Sequence, residues 1–163
     1  MGNVANARPR RVVSLIASAT EIICAFGARD LLIGRSHECD FPPDVTRSPS
    51  LTQPKFPVSG TSYEIDARVK AILQEGLSVY RVDAEKLEAL RPDIIVTQDH
   101  CEVCAVSLKD VEAALHAWSG RRVEIVSLKP DSLADIWEDI AKVARALGRE
   151  RRGECLVEEL KAA

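Results

Sequence analysis

The chain has 163 residues, of which 46% are apolar and 29% charged, and a formal charge of -3. A chain of this length removes roughly 70% of its unfolded surface from water, so one ordinary core is expected and disorder is confined to the ends. The acidic excess and scattered basic residues argue against nucleic acid as a partner, and no run of about 18 apolar residues exists to span a bilayer.

Residues 1–10 are polar and basic and predict a flexible start. The apolar run after them is interrupted by Ser14, Ser18, Thr20 and Glu21, which is no secretory signal. As it stands the chain reads as cytoplasmic, and as periplasmic if a signal has been removed. Residues 11–16 predict the first buried strand; Ile22, Ile23 and Phe26 then form a helical stripe closed by Gly27. Residues 31–35 predict a second strand. Five prolines in residues 39–61 (Pro42, Pro43, Pro49, Pro54, Pro57) predict a long surface loop with no regular element.

Ile65, Val69, Ile72 and Leu73 mark another helix, closed by Gly76. Residues 78–82 and 84–90 read as a weaker strand and a short helix, an excursion on the sheet edge. A strand over residues 93–97, a helical stripe of Leu108, Val111, Leu115 and Trp118, and a strand over 122–128 follow. Leu133, Ile136, Trp137, Ile140, Val143 and Leu147 then mark a long helix. The helical pattern resumes after residue 149 through Leu156, Val157 and Leu160 and stops with that stripe uncovered. It is expected either to continue in a longer chain or to pack against a partner, and to promote self-association.

Strands alternating with helices imply parallel pairing through right-handed crossovers. The predicted fold is a Rossmann-like α/β lobe over residues 11–131, with a mainly parallel sheet of about four strands flanked by helices. In such sheets ligands sit beyond the carboxyl ends of the strands. After the first strand, Ser18 and Glu21 have capping-box spacing. After the second come His37, Glu38 and Cys39, and after the third come Gln98, His100, Cys101 and Cys104.

Cys39, Cys101 and Cys104 with nearby imidazoles suit zinc or another borderline-soft transition metal, and free, partly buried thiols are the plainer alternative. With Cys24 and Cys155 they make five cysteines, an odd number expected to stay reduced. Cys101 and Cys104, after a strand and before a helix, also admit a dithiol redox role. No dinucleotide, Walker or Gly-x-Ser-x-Gly motif is present. His116, Glu85 and Glu88 read from spacing alone as solvated helix positions.

Three ordered segments carry a resemblance: Arg11-Val-Val-Ser-Leu-Ile-Ala-Ser-Ala-Thr-Glu-Ile, Gly34-Arg-Ser-His-Glu-Cys-Asp-Phe-Pro-Pro and Leu87-Glu-Ala-Leu-Arg-Pro-Asp-Ile-Ile-Val. The sequence resembles the helical-backbone substrate-binding proteins of ABC importers, and within them the cobalamin-binding branch, related to ferric-siderophore and haem binders. The resemblance implies two lobes joined by a long helix. Residues 11–131 would be the N-terminal lobe and 132–163 the start of the interlobe helix, with the C-terminal lobe absent.

It further implies binding of a metal chelate, foremost cobalamin, without catalysis or a required cofactor, and an ABC permease as partner. Glu85 would dock to a permease arginine. The strand-end rule and the resemblance together select Ser18, His37, Glu38, Gln98 and His100 as ligand-binding residues, with His37 a candidate axial ligand on cobalt. The competing expectations are a cytoplasmic metal- or thiol-dependent redox protein using Cys101 and Cys104, and a regulatory module that reports ligand occupancy.

Overall fold

The computed structural model describes residues 10–74, 79–99, 111–113, 115 and 122–163. Four short strands, β1 (Val12–Ser14), β2 (Leu32–Arg35), β5 (Ile94–Gln98) and β6 (Glu124–Leu128), form one parallel sheet in the order β2-β1-β5-β6. Three lie within the segments that periodicity selects, and β5 runs one residue past the segment 93–97. Side chains of a strand alternate between its faces, and the core divides accordingly. Val12, Ile94, Val96, Val126 and Leu128 join the core on one face, whereas Val13, Ile95 and half-buried Ile125 join the core on the other.

The first face is covered by α1 (Ala17–Ala25), through Ala19 and Ile23, and by α4 (Leu133–Ala146), through Val143 and Ala144. The second face takes Leu87 from α3 (Ala84–Leu90), together with Leu51 and Val111. Helices thus cover a sheet buried on both sides, which is why its strands read as unbroken apolar runs.

The proline-rich segment differs from expectation. It contains a short 3-10 helix, Pro43–Arg47, and a strand, β3 (Thr52–Pro54), which pairs antiparallel with β4 (Tyr80–Val82) in a separate two-stranded sheet. Proline is compatible with this because Pro54 closes a strand that has a neighbour on one side only. Main-chain bonds from Arg35 N–H to the Pro49 carbonyl and from Leu51 N–H to the Arg35 carbonyl, at 3.0 and 2.9 Å, tie the chain entering β3 to the edge strand β2.

The helix α2 (Ser62–Gln74) carries the predicted stripe, but Ile65, Val69, Ile72 and Leu73 are only half-buried. Residues 132–163 hold two helices. Ser132 caps α4 by accepting the Asp135 N–H and donating to its carboxylate at 2.8 Å. Gly148, at φ +66°, turns the chain through the left-handed region that glycine adopts freely, and α5 (Glu150–Ala162) follows. There Gly153 lies against Ala144 so closely that no Cβ fits between the two helices. Leu156 packs on the main core and Val157 is half-buried, so of the three residues expected to lie bare only Leu160 is exposed. Among the described residues no helix is long and apolar enough to cross a membrane.

Candidate functional site

From β1 the chain moves through α1 to β2 on one side, and it later re-enters the sheet at β5 on the other side of β1. The reversal of strand order opens a crevice at the carboxyl ends of β1 and β5, where ligands bind in sheets of this kind. The start of α1, the loop after β2 and the end of β5 all reach this edge.

At the start of α1 the capping box does not form. The helix begins at Ala17 with extended Ile16 as its cap and no side-chain capping bond. Ser18 therefore lies inside the first turn, two residues past the capping position. The Ser14 and Thr20 hydroxyls approach the Ile16 carbonyl instead, at 3.0 and 3.3 Å. Ser18 is exposed at this helix start, among main-chain N–H groups that lack helical acceptors.

Among the described residues, the loop after β2 is the most fully built part of the edge. The Arg35 guanidinium donates to the carbonyls of Ser36, Cys39 and Ser48 at 3.0–3.2 Å, and more loosely to those of His37 and Thr46 at 3.4 Å. Arginine's planar fork suits this role because its several N–H groups diverge toward different acceptors. A second anchor is Thr52 of β3. Its Oγ1 accepts the His37 main-chain N–H at 2.9 Å and lies 2.7 Å from His37 Nδ1 and 2.9 Å from Ser36 Oγ.

Tyr80 of β4 completes the support. Its ring centre lies 5.0 Å from that of His37, tilted by 57°, and its hydroxyl donates to Glu38 Oε1 at 2.8 Å. Burial holds His37 below the ordinary histidine pKa. The Glu38 carboxylate opposes that shift and the Arg35 charge reinforces it. The ring is thus mostly neutral at neutral pH and retains a lone pair.

Cys39 is buried rather than directed at solvent, and its thiol accepts from Thr20 Oγ1 at 3.1 Å. Burial pushes its pKa up against the hydrogen bonds from Thr20 and Ser36, so the neutral thiol is favoured. Gln98 is the half-buried last residue of β5, beside Leu128 of β6. His100, Cys101 and Cys104 lie outside the described residues, as does His116. Among the described residues no three His, Cys, Asp or Glu side chains are grouped as a metal site would require. Glu85 is exposed in the first turn of α3, away from the loop after β2 in sequence and in hydrogen bonding.

Just past the loop, Phe41 is exposed and lines, with Ile22, Leu156 and Leu160, an apolar groove of about 380 Å³ between α1 and α5. A larger cleft of about 640 Å³ opens at the far end of α1, between Gly27 and Arg152, and contains none of the ligand-binding residues selected from sequence.

Sequence reasoning reached His37 and Glu38 but missed Arg35, Thr52 and Tyr80, which hold them. Thr52 lay in the segment read as irregular. Tyr80 did carry a signal, as an aromatic residue in the apolar run of the weaker strand.

No protein-family profile matches the sequence, and no curated protein matches it. Solved structures do match. The apo periplasmic heme-binding protein RhuT from Roseiflexus sp. RS-1 superposes with a TM-score of 0.64 at 25% identity, over 94% of this chain and 46% of that one. A periplasmic heme-binding protein from Pseudomonas aeruginosa matches with a TM-score of 0.64 and 25% identity, over 94% and 44%. The periplasmic vitamin B12-binding protein BtuF of Vibrio cholerae matches in fold, with a TM-score of 0.65 and 19% identity, over 94% and 48%. The chain spans about half the length of these structures. Its mainly parallel four-stranded sheet flanked by helices has the fold of the N-terminal lobe of helical-backbone binding proteins.

Proposed function

We propose that this chain binds a planar metal chelate, foremost cobalamin, as the ligand-binding lobe of an ABC-importer substrate-binding protein. The observation that carries the reading is the match of nearly the whole chain to half of proteins described as periplasmic heme and vitamin B12 binders. The edge chemistry supports it. A corrin or porphyrin offers a broad apolar plate with polar rims, which suits helix-start N–H groups, neutral polar side chains such as Ser18 and Gln98, and a neutral imidazole at His37.

Absorbance titration of the chain with aquocobalamin and, separately, hemin tests the reading, with elemental analysis of the purified protein alongside. Saturable binding of aquocobalamin tighter than hemin is expected. Preference for hemin would keep the chelate and replace the corrin, whereas binding of neither would remove the proposal. Glu85 is proposed as the contact to a permease arginine, because it is exposed on a short, capped helix and the motif resemblance places it there.

A further inference from the structure

Thr52 Oγ1 meets three polar atoms at once, and counting its protons shows what that does to His37. A hydroxyl has one proton and two acceptor positions. One acceptor position takes the His37 main-chain N–H at 2.9 Å. The other acceptor position and the proton must then be divided between Ser36 Oγ and His37 Nδ1, at 2.9 and 2.7 Å. In either arrangement Nδ1 is engaged with Thr52. Among the described residues Nε2 has no hydrogen-bond partner.

We propose that Thr52 and Tyr80 are positioning residues that turn Nδ1 of His37 into the chain and leave Nε2 as the ring atom presented to a metal centre. This rests on the reading of the edge as a chelate site. A metal bound at Nε2 uses that lone pair and requires the proton to sit on Nδ1, where it needs an acceptor. Thr52 Oγ1 supplies one, and its own O–H donates to Ser36 Oγ. The reverse arrangement, in which Ser36 donates to Thr52 and Thr52 to Nδ1, places the proton on Nε2 and faces a hydrogen-bond acceptor instead. The two states differ by hydroxyl rotation and imidazole tautomer, with every heavy atom in place.

Tyr80 fixes the remaining freedom. Nδ1 bonding alone permits the ring to rock about the Thr52 contact; the Tyr80 ring at 5.0 Å limits that motion from one side. Its hydroxyl holds the neighbouring Glu38 carboxylate at 2.8 Å, so one residue of β4 orients two successive residues of the loop.

The test uses the whole chain with uniform nitrogen-15 labelling and reads the His37 Nδ1 and Nε2 resonances before any ligand is added. The wild type should show a hydrogen-bonded Nδ1. Near-isosteric Thr52→Val should move it to the value of a free imidazole, and Thr52→Ser should restore it. Tyr80→Leu should broaden or shift the ring resonances with the Nδ1 bond kept, and serves as the second variant if Thr52→Val does not fold. Hemin and aquocobalamin titrations follow: Thr52→Val should weaken whichever chelate binds by roughly 10–100-fold, as loss of a histidine's outer hydrogen bond does at metal sites, and Thr52→Ser should recover it. Unchanged Nδ1 resonances in folded Thr52→Val, or unchanged ring resonances in Tyr80→Leu, would overturn the assignment. Failure of the wild type to bind either chelate instead removes the proposed function, and the ligand-free resonances still decide whether Thr52 positions the ring.

Discussion

The proposed chelate site asks two opposing things of His37: an imidazole offered to a metal must be neutral, yet this one sits beside a carboxylate that favours its protonation. Burial outweighs Glu38 here and holds the pKa down. His37→Ala should therefore weaken chelate binding and alter the visible spectrum of bound cobalamin; equal affinity with an identical spectrum would leave His37 a rim residue without coordination. Asp139 shows the same physics with the opposite sign. Burial raises its carboxyl above the ordinary value of 3.8, against the attraction of Lys142 and the hydrogen bond from the Lys129 main chain. The folded state then binds the proton more tightly than the unfolded state, so stability falls as pH rises from the ordinary carboxyl value through the raised one. Denaturant titrations across that range should show this contribution as a stability difference between the wild type and Asp139→Asn that moves in favour of Asp139→Asn as pH rises; a difference that does not change with pH would refute it.

Among the elements, the two C-terminal helices depend on one absent side chain. Replacing Gly153 with Ala contributes up to about 1 kcal/mol of helix propensity, but its methyl would overlap the Ala144 Cβ and cost about 1–3 kcal/mol in overpacking. Gly153→Ala should lower the urea midpoint, and an unchanged or higher midpoint would mean that α5 can move off α4 freely. Parallel strands and covering helices were legible in the sequence because each was an apolar segment of the right period with a turn or cap at its end. The small sheet was not. Its β4 does lie in the weaker strand read at residues 78–82, but β3 is three residues in a proline-rich segment, too short to display a period, and the pairing joins Thr52 to Val82 across a whole intervening helix. The site was legible to the same degree. Residues on the strand-end loops, such as His37, follow from a topological rule, whereas Thr52 and Tyr80 reach it only through that distant pairing. The Ser18 capping box failed for a local reason, since the helix starts two residues earlier than the spacing requires.

For the molecule as a whole, two surfaces make separate predictions. Phe41 and Leu160 are 60% and 46% exposed on one apolar groove, where a second copy of the chain could bury both. Sedimentation velocity at rising concentration should show self-association of this chain, reduced by Leu160→Glu; a monomer at every concentration would show the groove to be harmless in water. On α3, Glu85→Arg should slow association with an ABC permease without changing chelate affinity, since a single exposed pair contributes only about 0.2–1 kcal/mol. Unchanged docking rates would remove Glu85 from that surface. The Arg35 clamp has a consequence of another kind. It grips carbonyl oxygens, which every amino acid possesses, and so it sets the course of the loop without consulting the side chains at positions 37 and 39 that contribute those carbonyls. The course of the loop is thereby stored in main-chain atoms. A side chain on this loop that points to solvent can be exchanged while the scaffold that displays it stays as it is.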